Sequence, residues 1–236
     1  MTPAWDELPP RPSPRWTVKL PLQLLLFALL AQVLAAQALA PGGGTLAGWR
    51  LAVPISLSYL LLLAFMSAMS RVRFGMPLRR LPGFGAAASR TRWLGVAAGV
   101  ALYGFNLAFA SLVDLGIENT ELYHAVGGYA DLLVLALPVV VLAPLFEELL
   151  FRGFFYGAFE RHGALAAVGL SASIFGVVHL FTYAKAPLAV IPVFAVGLAN
   201  GWLRARMRSL DACILCHATF NLLGLASWAA QLAANG

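Results

Sequence analysis

Glu147, Glu148 and Arg152 stand in the stretch "APLFEELLFRGFF", directly after the apolar run "LLVLALPVVVLAPLF". A charge at the centre of a bilayer costs about 2.5–3.5 kcal/mol on insertion scales. Three such groups therefore need partners or a water-filled cavity. On a helix Glu148 and Arg152 are i,i+4 neighbours and can pair, while Glu147 points about 100° away toward another partner. The plain alternative is that Arg152 and Glu160 lie at a membrane interface and snorkel into water. Two further constellations repeat the spacing: Phe175 and His179 in "SIFGVVHLF", and His217 and Asn221 in "CHATFNLLG". Taken singly, each reads as a packing histidine or as interhelical hydrogen-bonding glue. Taken together, they form an inventory for hydrolysis. A Glu and a His meeting in a wet pocket can activate a water. A second His with an Asn can donate to the oxyanion of a tetrahedral intermediate. The arginine can hold the second carboxylate in place. Asn106 and Asn200 are the main other strongly polar residues within apolar runs.

The elements that must position these groups are membrane helices. The chain has 236 residues, 61% hydrophobic and 11% charged, against about 45–50% and 25% in soluble domains. Roughly 20 apolar residues cross a bilayer as a helix. That length predicts an all-α, polytopic transmembrane bundle of about seven helices, near 17–40, 49–70, 93–115, 131–152, 164–183, 187–203 and 211–233. An eighth, half-spanning segment between 72 and 92 is disfavoured by its glycines and arginines. Pro138 and Pro144 are expected to kink or break the fourth span. A polar, proline-rich lead over 1–16 precedes the first span, which has no A-x-A cleavage site and reads as a retained helix. The formal charge of +6 comes almost wholly from arginines in alternate loops. That distribution is a membrane-orientation signal, with the N-terminus cytoplasmic and the C-terminus external, and not a nucleic-acid-binding one.

With the three constellations in hand, a resemblance emerges. "EELLFR", "FGVVH" and "HATFN" resemble the EExxxR, FxxxH and HxxxN motifs of the CPBP (Abi) family of CAAX-prenyl proteases and bacteriocin-processing enzymes, in that family's order between Glu147 and Asn221. The resemblance implies a catalytic region over 131–236, with 17–130 supplying N-terminal membrane helices of one integral domain. It implies an intramembrane endopeptidase acting on a membrane-anchored peptide or protein near the cytoplasmic face of a bacterial inner membrane. In that family pattern Glu147 with His179 activates water, and His217 with Asn221 forms the oxyanion hole. Glu148, Arg152 and Phe175 support the site. The family is described both as metalloprotease and as metal-free glutamate protease. Glu147, His179 and His217 could supply ligands to a zinc ion with one open position. The chain has no H-E-x-x-H motif, which favours no obligatory metal.

Two rivals and one difficulty accompany this reading. "CILCH" fits the C-x-x-C-H pattern of covalent haem, but "RARMRS" before it places it at the cytoplasmic end, and two apolar thiols in a helix explain it as well. A non-proteolytic membrane interaction or bacteriocin-immunity protein of the same family is the main alternative function. A transporter is disfavoured because the polar residues concentrate in the C-terminal half. The difficulty is depth. His179 lies about 22 Å along the fifth span, too deep to meet a shallow Glu147. The resolution expected here is a fourth helix that continues to about residue 160.

Overall fold

Among the described residues seven helices follow one another, with no strand: α1 Lys19–Leu39, α2 Trp49–Phe74, α3 Ser89–Leu112, α4 Tyr129–His162, α5 Ala164–Thr182, α6 Val190–Met207 and α7 Leu210–Asn235. The computed structural model describes residues 17–39, 48–85, 87–120 and 126–235, so the lead expected over 1–16 lies outside them. Six of these helices are long and apolar enough to cross a bilayer; the apolar stretch of α1, Lys19–Leu34, is shorter. Large apolar side chains such as Leu61, Leu133 and Phe181 face outward and are more than two-thirds exposed. An apolar side chain turned outward on every side of a bundle is the mark of a lipid-facing surface.

Between 75 and 88 the described residues form a short 3₁₀ turn, Leu78–Arg80, and a loop, with no half-spanning helix. The loop is tied to the turn between α6 and α7. Leu210 N–H donates to Gly83 O, and Asp211 accepts from Gly85 and Ala87 N–H while pairing with Arg92. The arginine-rich ends of α2, α3, α6 and α7 therefore share one end of the bundle. α3 lies tightly along α7. A Cβ on Gly99 would fall 2.4 Å from Cys216 O, and one on Gly95 would fall 2.3 Å from Ala212 O, so only glycine permits this approach.

α4 is helical through both prolines, which corrects the expected break. It contains two wide π-type turns, Leu137–Leu142 and Leu149–Phe155. In them Ala143 N–H reaches back to Pro138 O, and Tyr156 N–H to Phe151 O, five residues rather than four. The next carbonyls, Val139 and Arg152, thereby lose their ordinary i+4 donors. Val139 has no recourse to residue i+5, because Pro144 carries no N–H. Side chains from other helices fill the gap: Asn221 Nδ2 donates to Val139 O at 2.8 Å, and Arg204 Nε donates to Arg152 O at 3.1 Å. The glutamates occupy the regular segment Ala143–Glu148 between the two turns.

The turn between α4 and α5 removes the depth difficulty. α4 reaches His162, and Gly163, at φ 96°, reverses the chain in a conformation that disfavours any side chain. Glu147 lies fifteen residues before His162, and His179 lies fifteen residues after Ala164. The two helices run antiparallel, so both residues sit about 22 Å from the turn and stand level.

Candidate active site

Two adjacent carboxylates on α4 carry separate networks, as the 100° step between neighbouring helix positions requires. Glu148 turns into the protein and is fully buried, as is Arg152. Its Oε1 accepts from Arg152 Nη1 at 3.1 Å, from Asn200 Nδ2 at 2.9 Å and from His217 Nδ1 at 2.9 Å. Arg152 also donates through Nη2 to Gly197 O at 2.7 Å. Its guanidinium carbon lies 4.7 Å from the centre of the Phe175 ring, a cation–π contact. A buried charge pair is costly unless its donors and acceptors are engaged; α6 and α7 supply part of that engagement, while Glu148 Oε2 and Arg152 Nε have no hydrogen-bond partner. Snorkelling is excluded for Arg152; Glu160, one helix turn beyond the buried stretch, is exposed.

Glu147 turns the other way. Tyr59 Oη, from α2, donates to its Oε1 at 3.3 Å. Its Oε2 is buried without a hydrogen-bond partner, 3.7 Å from His179 Nε2 and 3.9 Å from His217 Nε2. Both separations exceed a direct hydrogen bond and suit a bridging water. The ring orientations follow from the other nitrogens. His179 Nδ1 meets Phe175 O at 2.8 Å, and a carbonyl only accepts, so Nδ1 carries the proton. His217 Nδ1 likewise faces the Glu148 carboxylate. With Nδ1 so engaged, each ring turns its Nε2 toward Glu147.

Phe175 is the packing hub of these groups. Its ring is fully buried and meets Phe151 at 5.1 Å, His179 at 4.2 Å and His217 at 5.8 Å between centroids. A Cβ on Gly197 would approach that ring to 3.2 Å, so α6 needs a glycine there to admit both the ring and the arginine. Asn221 lies one helical turn beyond His217, and one of its amide hydrogens is committed to Val139 O.

The structure thus brings Glu147, Glu148, Arg152, Phe175, His179 and His217 into one cluster, with Asn221 at its edge bound to the α4 backbone. Asn200, Tyr59 and Tyr183 join the site beyond the residues expected from the sequence. Asn200 carries a readable signal, since Gly197, Asn200, Gly201 and Arg204 form one buried face of α6. Tyr59 and Tyr183 carry none, because a tyrosine near a membrane helix ordinarily reads as an interfacial anchor. Tyr183, in the turn after α5, stacks on His179 at 6.5 Å. Burial first, and then the charge of Glu147, push its phenol above the usual range.

Among the described residues no group of three His, Cys, Asp or Glu side chains is arranged to hold a metal ion. The "CILCH" thiols are fully buried; Cys213 Sγ lies 3.1 Å from Ser209 O and 3.2 Å from Asn200 O. His217 is held by Glu148, so the haem reading has no access to its own residues.

No curated protein and no solved structure gave a match to the chain. A family model described as "Type II CAAX prenyl endopeptidase Rce1-like" matches residues 129–223, the stretch from the start of α4 to just past Asn221. Together with its apolar helices, the match makes this an integral membrane protein. The part of the chain that holds the site thus matches a Rce1-like domain model of the CPBP family.

Proposed function

We propose that the chain is an intramembrane endopeptidase that hydrolyses a peptide bond of a membrane-anchored peptide or protein. One observation carries the reading: the buried, unpartnered Oε2 of Glu147 faces the Nε2 atoms of two histidines whose Nδ1 atoms are fixed. A water there donates one hydrogen to Glu147 Oε2 and one to His179 Nε2. Its oxygen lone pairs are then directed at a substrate carbonyl. Glu147 takes the proton as the water adds, and returns it to the leaving amine as the C–N bond breaks. The carbonyl oxygen becomes an oxyanion. His217 in its doubly protonated form, held against Glu148, donates Nε2–H to it, and Asn221 donates its uncommitted amide hydrogen. Glu148, Arg152 and Phe175 keep His217 and His179 in register. The family description adds a prenylated C-terminal peptide as one candidate substrate class. By the positive-inside rule we assign the arginine-rich end to the cytoplasm, and the proposal has hydrolysis near that side of a bacterial inner membrane.

The test compares the wild type with Glu147→Gln, His179→Ala and His217→Ala, reconstituted in liposomes with a library of farnesylated and unmodified membrane-anchored peptides. Each variant should lose at least about 100-fold in rate. Full activity in all three, or a wild type inert to the whole library, would sink the proposal and leave a non-proteolytic interaction or immunity role. A metal chelator should leave the wild-type rate unchanged. A loss restored by added zinc would instead reassign Glu147, His179 and His217 as ligands.

A further inference from the structure

The two oxygens of Glu147 are not equivalent, and the difference comes from outside the family-matched region. Tyr59 lies on α2, and its hydroxyl occupies Oε1 at 3.3 Å, while Oε2 is left to face the histidines. The phenol ring is itself fixed, packed at 5.8 Å between centroids against Phe146, the residue before Glu147. Its depth also matches: Tyr59 lies fifteen residues from the α2 end at Phe74, as Glu147 lies fifteen from the α4 end at His162. A carboxylate on a three-torsion side chain is otherwise free to rotate and to present either oxygen. Among the described residues the other hydrogen-bond partners of the cluster come from α4 to α7, and Tyr59 links the N-terminal helices to the chemistry.

We propose that Tyr59 is a positioning residue: its hydroxyl pins Oε1 of Glu147 so that Oε2 alone receives the water's proton. This deepens the endopeptidase reading and rests on it. α2 is then part of the working site, and residues 129–223 are an incomplete catalytic unit.

The experiment uses the full chain in liposomes and the library peptide that the wild type cleaves fastest. Tyr59→Phe removes only the hydroxyl. It should lower kcat about 10- to 100-fold, the loss of one hydrogen bond to a charged group, with KM within twofold. Tyr103→Phe, which removes a hydroxyl bonded to Ser227 between α3 and α7, should leave kcat within twofold. A thermal-unfolding cycle in detergent supplies a readout independent of turnover. Tyr59→Phe should lower Tm in the wild type and have little effect in Glu147→Leu, where its acceptor is gone. If Glu147→Gln is inactive while Tyr59→Phe keeps wild-type kcat, the positioning role is overturned and the protease reading stands. If Glu147→Gln is fully active, both fall. Additive Tm shifts in the cycle would overturn the contact itself.

Discussion

Replacing Arg152 by methionine tests the most heavily enclosed part of the site. Arg152 and Glu148 are both fully buried, so neither charge has water to fall back on. The arginine makes two hydrogen bonds, to Glu148 at 3.1 Å and to Gly197 O at 2.7 Å, and its guanidinium lies over Phe175. Hydrogen bonds to charged groups contribute about 1.5–3 kcal/mol each. Breaking one side of a buried pair costs about 3–5 kcal/mol, because the partner charge is stranded. Methionine fills similar space, so cavity formation adds little. Arg152→Met should therefore lose about 3–5 kcal/mol, roughly two to three and a half decades in the folding equilibrium at 1.4 kcal/mol per decade. SDS titration of the purified protein in mixed micelles, followed by tryptophan fluorescence, measures this. Glu148→Gln/Arg152→Met strands no charge and should be more stable than Arg152→Met alone. Arg152→Lys should fall between, keeping the charge but losing the planar fork. An Arg152→Met variant within about 1 kcal/mol of wild type, or a double variant showing the full sum of both losses, would refute the stranded-charge reasoning.

Three further outcomes can be checked directly. Asn221→Leu leaves Val139 O without a donor and should cost about 1–3 kcal/mol in the same titration; a loss below about 0.5 kcal/mol would remove Asn221 from that structural role. Gly99→Ala drives a Cβ to within 2.4 Å of Cys216 O and should destabilise by about 1–3 kcal/mol, whereas Gly104→Ala, with open space around it, should not. Single cysteines at Arg79 and Arg161 should react with a membrane-impermeant maleimide only from the cytoplasmic side, and those at Ile117 and Ala184 only from the other. The buried Cys213 and Cys216 should remain silent until the protein is unfolded, and labelling of Arg79 and Ala184 from one side would overturn the orientation.

Helix number, order and approximate ends were readable because bilayer thickness fixes the length of an apolar run. That Glu147, His179 and His217 share one region was legible from polar residues recurring in three otherwise apolar runs and from the resemblance those motifs carry, whereas the i,i+4 spacings spoke only for pairs within single helices. The level placement of His179 and Glu147 needed one more quantity, the length of α4 beyond the motif, which its amphipathic tail "FERHG" only suggests. The wide turns were not readable. Pro138 and Pro144 announce a lost donor, but whether the chain breaks or widens depends on side chains such as Asn221 and Arg204, which bond α4 carbonyls 82 and 52 positions away in sequence. Asn200 was visible as a polar residue without a partner, and only the packing of α6 on α4 shows that the partner is Glu148. Tyr59 was silent, since nothing in "LSYLLLL" distinguishes a hydroxyl facing lipid from one facing a carboxylate.

The wide turns of α4 also decide where this helix can change in length. Each holds about one residue more per turn than a regular helix. Deleting one residue within Leu137–Leu142 lets a regular turn close while the faces on either side keep their alignment. Deleting one within Ala143–Glu148 swings one half of the helix by about 100° against the other and carries the glutamates off their partners. Insertions and deletions among descendants of this chain should therefore gather beside the carboxylates and spare the six residues that hold them.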